Sequence, residues 1–158
     1  MSKPLYIFCQ LFYPELISTG QTVTELAEGL SAKGLPITVF CAQPTLVSRQ
    51  SVAKHMQHQG IHIRRLWATQ FSKLHLLGKL INHLTFGLSC IRCLLTLPKQ
   101  SRILVFTNPP FLPWIVGIIG RLKDYRVVVS VFDVYPQTLV CEGLIRSEGW
   151  LDRLFQRF

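Results

Sequence analysis

A chain of 158 residues, of which 49% are hydrophobic and 16% are charged, has the size and composition of one compact domain, which excludes a disordered protein and argues against two domains. Its five cysteines are odd in number and lie mostly in apolar segments, so they favour a reducing cytoplasm over a disulfide-bonded secreted protein. The net charge of +9 at pH 7 is unevenly distributed, because no Asp or Glu occurs from Gly29 to Lys123.

This acid-free segment implies an anionic partner. The candidates are anionic lipid head groups, a phosphorylated substrate and nucleic acid, and the alternative is a solvated basic surface with no specific partner. Nucleic acid is disfavoured because the chain has no recognisable binding motif and no interleaved stacking aromatics. The basic residues of the segment are Lys33, Arg49, Lys54, Arg64, Arg65, Lys73, Lys79, Arg92, Lys99, Arg102, Arg121 and Lys123.

The first predicted element is an apolar strand, Leu5 to Phe8, which is followed by a loop that contains Gly20 and then by a helix. Because the amides of such a loop and of the helix N-terminus carry unpaired N–H donors and a partial positive charge, this order of elements predicts a phosphate site. The loop lacks a GxGxxG sequence, which disfavours a dinucleotide site of that type. The alternative is that Gly20 merely permits a turn.

The helix after this loop is predicted from Thr22 to Lys33, before a glycine that fits the C′ position. Its N-terminus fits a capping box of Thr22 with Glu25 or, one turn earlier, of Ser18 with Gln21. One face is predicted to be buried, because apolar residues recur on it at helical spacing. These residues are Val23, Leu26, Ala27 and Leu30.

The rest of the chain alternates short apolar runs with helical patterns. The runs predict strands at Ile37 to Ala42, Ile61 to Trp67, Ile103 to Phe106 and Val127 to Phe132. The helical patterns cover Leu74 to Leu97, Leu112 to Lys123 and about Glu148 to Phe158. This alternation predicts an α/β fold, a Rossmann-like three-layer sandwich around a parallel sheet. The strands from Ile103 and Val127 are nearly continuous apolar runs, which predicts the centre of the sheet. Residues 43–60 are polar and predict a mobile loop.

No segment of the sequence fits a secretory signal or a membrane span. The helix from Leu74 to Leu97 carries Lys79, His83 and Arg92 among its leucines. It fits either a core helix or a helix that lies in a membrane interface, and the core alternative is favoured.

No metal site is predicted. Cys90 and Cys93 form a CxxC sequence, but they lie inside a helical pattern without a second ligand pair, and the five histidines show no ligand spacing.

Ligands of parallel sheets bind at the carboxyl ends of the strands, so the loops after Phe8, Phe106 and Phe132 are the candidate sites. The second of these loops offers the hydrogen-bonding side chains of Thr107 and Asn108 beside two prolines. The third loop begins with Asp133. A carboxylate in that position is a candidate catalytic base, and its alternative role is to cap the amides of the turn before Pro136.

Together these motifs resemble the N-terminal, acceptor-side half of GT-B glycosyltransferases, specifically the retaining family 4 enzymes of cell-surface polysaccharide and O-antigen assembly. The resemblance runs essentially from end to end. It rests on Phe12-Tyr13-Pro14-Glu15, on Thr19-Gly20-Gln21, on Ile63-Arg64-Arg65-Leu66-Trp67, on Thr107-Asn108-Pro109-Pro110-Phe111 and on Asp133-Val134-Tyr135-Pro136.

The resemblance implies transfer of a sugar from a nucleotide-sugar donor to a glycan or polyprenyl-linked acceptor, with retention and without a metal or other cofactor. It implies that Asp133 is catalytic and that the Thr19-Gly20 loop approaches the donor phosphates. The residues expected to bind donor phosphate or acceptor are Tyr13, Pro14, Glu15, Thr19, Gly20, Gln21, Thr107, Asn108, Pro109 and Tyr135.

The chain departs from the family pattern in three ways. Many members carry a histidine where this chain has Phe132 or Asp133, which leaves the catalytic base open, and others have a second glycine where it has Ser18-Thr19. The donor-binding domain of the family is not expected within residues 1–158, which end inside a predicted helix.

We therefore expect one Rossmann-like acceptor domain over residues 1–158, which has little or no transferase activity without a donor domain. The alternative is a non-catalytic acceptor-binding or membrane-recruiting subunit that works with a separate donor-domain polypeptide. The expected location is the cytoplasm, at the inner face of the membrane, where an anionic lipid surface is the expected partner.

Overall fold

A computed structural model describes residues 3–44, 52–71 and 76–132. Its elements in chain order are β1 (Leu5–Phe8), α1 (Thr19–Ala32), β2 (Ile37–Cys41), β3 (His55–His58), β4 (Ile61–Arg65), α2 (Leu76–Thr96), β5 (Arg102–Phe106), α3 (Leu112–Lys123) and β6 (Arg126–Ser130). The predicted helix at Glu148 to Phe158 lies outside the described residues, as do Asp133 and Tyr135.

The strands form one sheet in the order β3-β4-β2-β1-β5-β6. All neighbouring strands are parallel except β3 and β4, which pair in antiparallel fashion. The predicted α/β, Rossmann-like fold is therefore confirmed. The predicted loop over residues 43–60 is wrong at His55–His58, because β3 is a polar edge strand whose side chains give no apolar alternation.

Side chains of the central strands alternate between two cores, one on each face of the sheet. Ile7 and Val39 pack with Val23 and Ala27 of α1 on one face. On the other face, the buried side chains of β1, β2 and β5 pack against α2 and α3. The strands contribute Phe8, Phe40 and Val105, and the helices contribute Phe86, Cys90 and Val116. The predicted core role of α2 is confirmed for this face of the helix.

Helix α1 begins after Ser18, which confirms the earlier of its two predicted starts, but neither capping box forms. The N-cap residue, Ser18, makes no hydrogen bond through its side chain, and the Gln21 side chain donates to Glu25 instead. The predicted C′ glycine is confirmed, because Gly34 has a φ of 81° and its N–H donates to the Ser31 carbonyl at 2.8 Å. Leu26, predicted to be buried, is exposed.

The predicted position of the last strand at the centre of the sheet is not confirmed within the described residues. Among the described residues β6 pairs only with β5, and Val128 and Val129 are exposed. The valine run of β6 matches β5 in composition, but composition does not reveal which strand has a neighbour on both sides. Across the described ranges, no helix combines the length and apolar character needed to cross a bilayer.

Candidate active-site cleft

Hydrogen bonds connect the chain segments that follow β1, β5 and β6 at the carboxyl edge of the sheet. The N–H of Gln10, after β1, donates to the carbonyl of Asn108, after β5, at 3.3 Å. The N–H of Phe132, after β6, donates to Thr107 Oγ1 at 3.1 Å, and the Phe132 ring stacks on Phe106 at 5.4 Å between centroids. The strand ends that the sequence singled out therefore converge.

An open depression of about 490 Å³ lies at this edge, between the start of α1 and Phe132. The predicted site residues Thr19 and Gln21 line it together with Phe132, the residue before Asp133. The described residues that line it are Ser18, Thr19, Gln21, Thr22, Glu25 and Phe132. Hydroxyl, amide and carboxylate groups thus line the depression, and none of the lining residues that the structure describes is a lysine or an arginine.

The backbone amides at the start of α1 are mostly committed to turn hydrogen bonds. The N–H of Gly20 donates to Ile17 O at 3.0 Å, and the N–H of Gln21 donates to Ser18 O at 3.1 Å. The N–H of Thr19 has no acceptor within the part of the chain that the structure describes. The helix start therefore offers fewer free donors than a Gly-rich phosphate loop does.

Gly20 is required by a close approach of two backbone segments. A Cβ at this position would overlap the Glu15 carbonyl oxygen and lie 3.3 Å from Leu11 Cβ. Thr24 Oγ1 strengthens the contact, since it donates to Gly20 O at 2.7 Å and accepts from the Tyr13 N–H at 3.2 Å. Gly20 thus fixes the path of the 11–15 loop against α1.

The Tyr13-Pro14-Glu15 segment is held from the sides and does not line the depression. The Tyr13 ring stacks on His58 at 3.8 Å, and His58 Nε2 lies 2.7 Å from Glu28 Oε1. Glu15 is only 2% exposed. These side chains position the loop, and the depression begins at Ser18.

Arg65 is the principal anchor of this loop, and the sequence analysis gave it no such role. Its guanidinium donates to Tyr13 O at 2.6 Å and to Ala42 O at 3.1 Å, which ties together the loops after β1 and β2. The alternation of side chains along β4 could have indicated that Arg65 is buried, because Ile61, Ile63 and Arg65 lie on the buried face while the residues between them are exposed.

The cysteine thiols near this anchor are held in the neutral form. Burial raises the pKa of Cys41 to about 12, although Arg65 lies 3.5 Å from its sulfur and opposes the shift. Burial also raises the pKa of Cys9 well above its ordinary value. Neither thiol is available as a thiolate nucleophile at neutral pH.

The remaining predicted residues flank the depression or lie beyond the described ranges. Thr107 and Asn108 are half-buried in the loop after β5, and Pro109 is buried beneath them. Asp133 and Tyr135 lie outside the described residues. Over residues 3–44, 52–71 and 76–132, no three His, Cys, Asp or Glu side chains are grouped so that they could hold a metal ion.

Comparisons with known proteins support the fold and leave the family open. The sequence matches no protein-family model, and it matches no curated protein. Among solved structures, the chain is similar to a sucrose-phosphate synthase from Thermosynechococcus elongatus, with a TM-score of 0.57 and 14% sequence identity. The match covers 93% of this chain and 36% of that one, so the chain spans about a third of that protein. At this identity, the likeness shows that the two share an α/β, Rossmann-like fold.

Proposed function

We propose that this chain is the acceptor-side half of a GT-B glycosyltransferase of the retaining, family 4 type. In this proposal the enzyme works in polysaccharide assembly and transfers a sugar from a nucleotide-sugar donor to a glycan or polyprenyl-linked acceptor. This chain holds the acceptor. The single observation that carries the proposal is the polar depression at the carboxyl edge of the sheet, where Thr19, Gln21 and Phe132 meet. The fold likeness to sucrose-phosphate synthase, a GT-B glycosyltransferase, is consistent with it.

The chemistry of the depression suits sugar hydroxyls better than phosphate. Gln21 Nε2 donates to Glu25 Oε1 at 2.8 Å, and both groups keep further hydrogen-bonding capacity toward a ligand. The Glu25 carboxylate would repel an unaccompanied phosphate, whereas it accepts readily from hydroxyl groups. We therefore assign this wall to the acceptor sugar and to the sugar of the donor. The donor phosphates would be held chiefly by a second, donor-binding domain, without a metal ion.

The proposal is tested by binding and turnover of the full chain. The probes are a short polyprenyl diphosphate that carries N-acetylglucosamine, and UDP-glucose. We expect the glycolipid to shift the amide resonances of Thr19, Gln21 and Phe132, and we expect negligible hydrolysis of UDP-glucose. Thr22→Val should weaken glycolipid binding at least threefold, whereas Thr96→Val, on an exposed helix position away from the depression, should not. Rapid turnover of UDP-glucose by the chain alone, or glycolipid shifts confined to other surfaces, would contradict the proposal.

Asp133 is the proposed catalytic base, and its competing role as a turn cap can be separated by stability. If the carboxylate acts only on the substrate, Asp133→Asn should leave the melting temperature within about 1 °C, because a domain of this size loses a few degrees for each kcal/mol. A loss of several degrees would assign Asp133 to capping. When a donor domain is supplied, the same variant should lower kcat.

A further inference from the structure

Helix α2 has a second apolar face, opposite the one that packs in the core. Phe86 and Cys90 point into the core, while Leu77 is 73% exposed and Leu88 is 63% exposed. The exposed residues recur three, four or seven positions apart, so they form one stripe along the helix. This stripe consists of Leu77, Ile81, Leu84, Leu88 and Leu95.

Helix α3 carries a matching apolar row. Ile118 and Leu122 are 65% and 75% exposed, and Trp114 lies one turn before them. The two helices are packed together, because a Cβ at Gly87 of α2 would lie only 2.8 Å from the Phe111 ring and 3.5 Å from Ile115 Cδ1. We call the stripe on α2, together with Trp114, Ile118 and Leu122, the α2–α3 apolar face.

The charges around this face identify what it fits. Neither helix contains an Asp or a Glu, and both lie in the acid-free segment from Gly29 to Lys123. Arg92, four residues after Leu88, is exposed on α2, and Arg121 is exposed on α3. Long basic side chains beside exposed leucines, with a tryptophan among them, form the pattern of a surface that rests at the boundary between lipid head groups and acyl chains.

We propose that the α2–α3 apolar face docks on an anionic lipid surface. The leucines, Ile118 and Trp114 enter the outer acyl region, and Arg92 and Arg121 contact the lipid phosphates. A protein partner is less well matched, because a stable protein interface excludes most charges from its centre, whereas Arg92 and Arg121 lie on the same two helices as the exposed apolar residues and neither helix supplies an acid to balance them.

The position of this face relates docking to the cleft. Asn82 lies in the first half of α2, and its side chain bonds Thr69 and both backbone groups of Phe71 at 2.9 Å. A small groove joins Asn82 and Thr69 to Gln10 and Ala42, which follow β1 and β2. The Leu77 end of the stripe is therefore at the cleft edge of the sheet. This step rests on the proposed function: a lipid-linked acceptor could reach the cleft while its lipid stays in the membrane.

The test measures partition of the full chain onto vesicles, in the absence of any sugar. The vesicles are phosphatidylcholine alone, or a 70:30 mixture of phosphatidylcholine and phosphatidylglycerol. We expect strong sedimentation with the anionic vesicles only, weakened as salt rises because exposed charges are screened. The double variant Leu84→Gln/Leu88→Gln should partition at least tenfold less. Leu26→Gln/Val128→Gln changes two exposed apolar residues elsewhere and should partition like the wild type.

Both double variants must keep the wild-type circular dichroism and melting temperature, which their exposed positions favour. A third double variant, Arg92→Gln/Arg121→Gln, keeps the apolar face intact and should reduce the preference for anionic vesicles.

Equal partition of the Leu84/Leu88 and control variants, or no binding of the wild type, would overturn the proposal. So would a dimer in solution that the Leu84/Leu88 variant dissociates, because a second copy would then cover the face. Failure of vesicle binding leaves the glycolipid shifts at Thr19 and Gln21 unaffected, so the two proposals fail separately.

Discussion

The backbone N–H of Phe132 donates to Oγ1 of Thr107 at 3.1 Å, which ties the residue before Asp133 to the loop after β5. The two residues that it joins are 25 positions apart in the sequence. It therefore fixes where the third loop leaves the sheet, and with it the start of the segment that carries the proposed catalytic base.

We expect Thr107→Val to loosen this connection. Valine keeps the shape of threonine and removes the acceptor, so the free energy of unfolding should fall by about 1 kcal/mol. Amide exchange at Phe132 should accelerate, as followed by NMR. Thr107→Ser retains the hydroxyl and should preserve most of the protection at Phe132. Equal exchange rates in the valine variant and the wild type would show that the hydrogen bond is not formed in solution.

Two glycines of α1 should respond in opposite ways to alanine. Gly20→Ala drives a methyl group into the Glu15 carbonyl oxygen, so it should destabilise the protein by about 1–3 kcal/mol, as overpacking does. Gly29 has no atom within 4 Å of the position of an added Cβ. Gly29→Ala should stabilise the protein by about 0.5–1 kcal/mol through helix propensity. Urea denaturation measures both, and a neutral Gly20→Ala would disprove the close approach.

The fold was largely predictable because its signals are local. Helix α3 has the predicted bounds, Leu112–Lys123, since a proline near its start and basic residues in its last turn mark the ends. Which apolar side chains of a helix or strand are covered by other parts of the protein was not predictable. Leu26 and Val128 belong to apolar patterns but are exposed. The strand His55–His58 was missed because both of its faces are largely polar.

The position of the candidate site was predictable from the sequence, but several of the residues that form and support it were not. Strand order places the loops after β1, β5 and β6 at one edge, which brings Thr19 and Gln21 next to Phe132. Arg65 was missed because its partners, the carbonyls of Tyr13 and Ala42, are 52 and 23 residues away in sequence. Tertiary hydrogen bonds of this kind leave no local pattern.

Ser18 holds a backbone conformation that suits glycine. Its φ is 51° and its ψ is −126°, where an L side chain is strained. Ser18→Gly should therefore raise the free energy of unfolding by about 1 kcal/mol.

The matched control for this substitution is Thr19→Gly. Thr19 is the first residue of α1 and has no such strain, so glycine there should leave stability unchanged or lower it by a few tenths of a kcal/mol. Thermal or urea denaturation compares the two. If Ser18→Gly is as destabilising as Thr19→Gly, Ser18 does not adopt the positive φ.

The buried thiols should make the protein lose stability at alkaline pH. Burial raises the pKa of Cys41 to about 12 and that of Cys93 to about 11, from an ordinary value of 9.0. The unfolded chain releases these protons near pH 9 and the folded protein retains them. Their contribution to stability is therefore fully present below pH 9 and is lost as the pH rises toward 11–12.

Comparison of pH slopes isolates one thiol from the other groups that titrate in this range. Between pH 9 and 11, each retained proton steepens the fall in unfolding free energy by up to about 1.4 kcal/mol per pH unit. Cys41→Ala should lower stability at pH 7 because it leaves a small cavity, and should also give a shallower fall above pH 9. The slope is the decisive readout, since a purely steric role of Cys41 changes the stability at pH 7 and leaves the slope as it was. Parallel curves for Cys41→Ala and the wild type would mean that this thiol ionises as readily in the folded protein as in the unfolded chain.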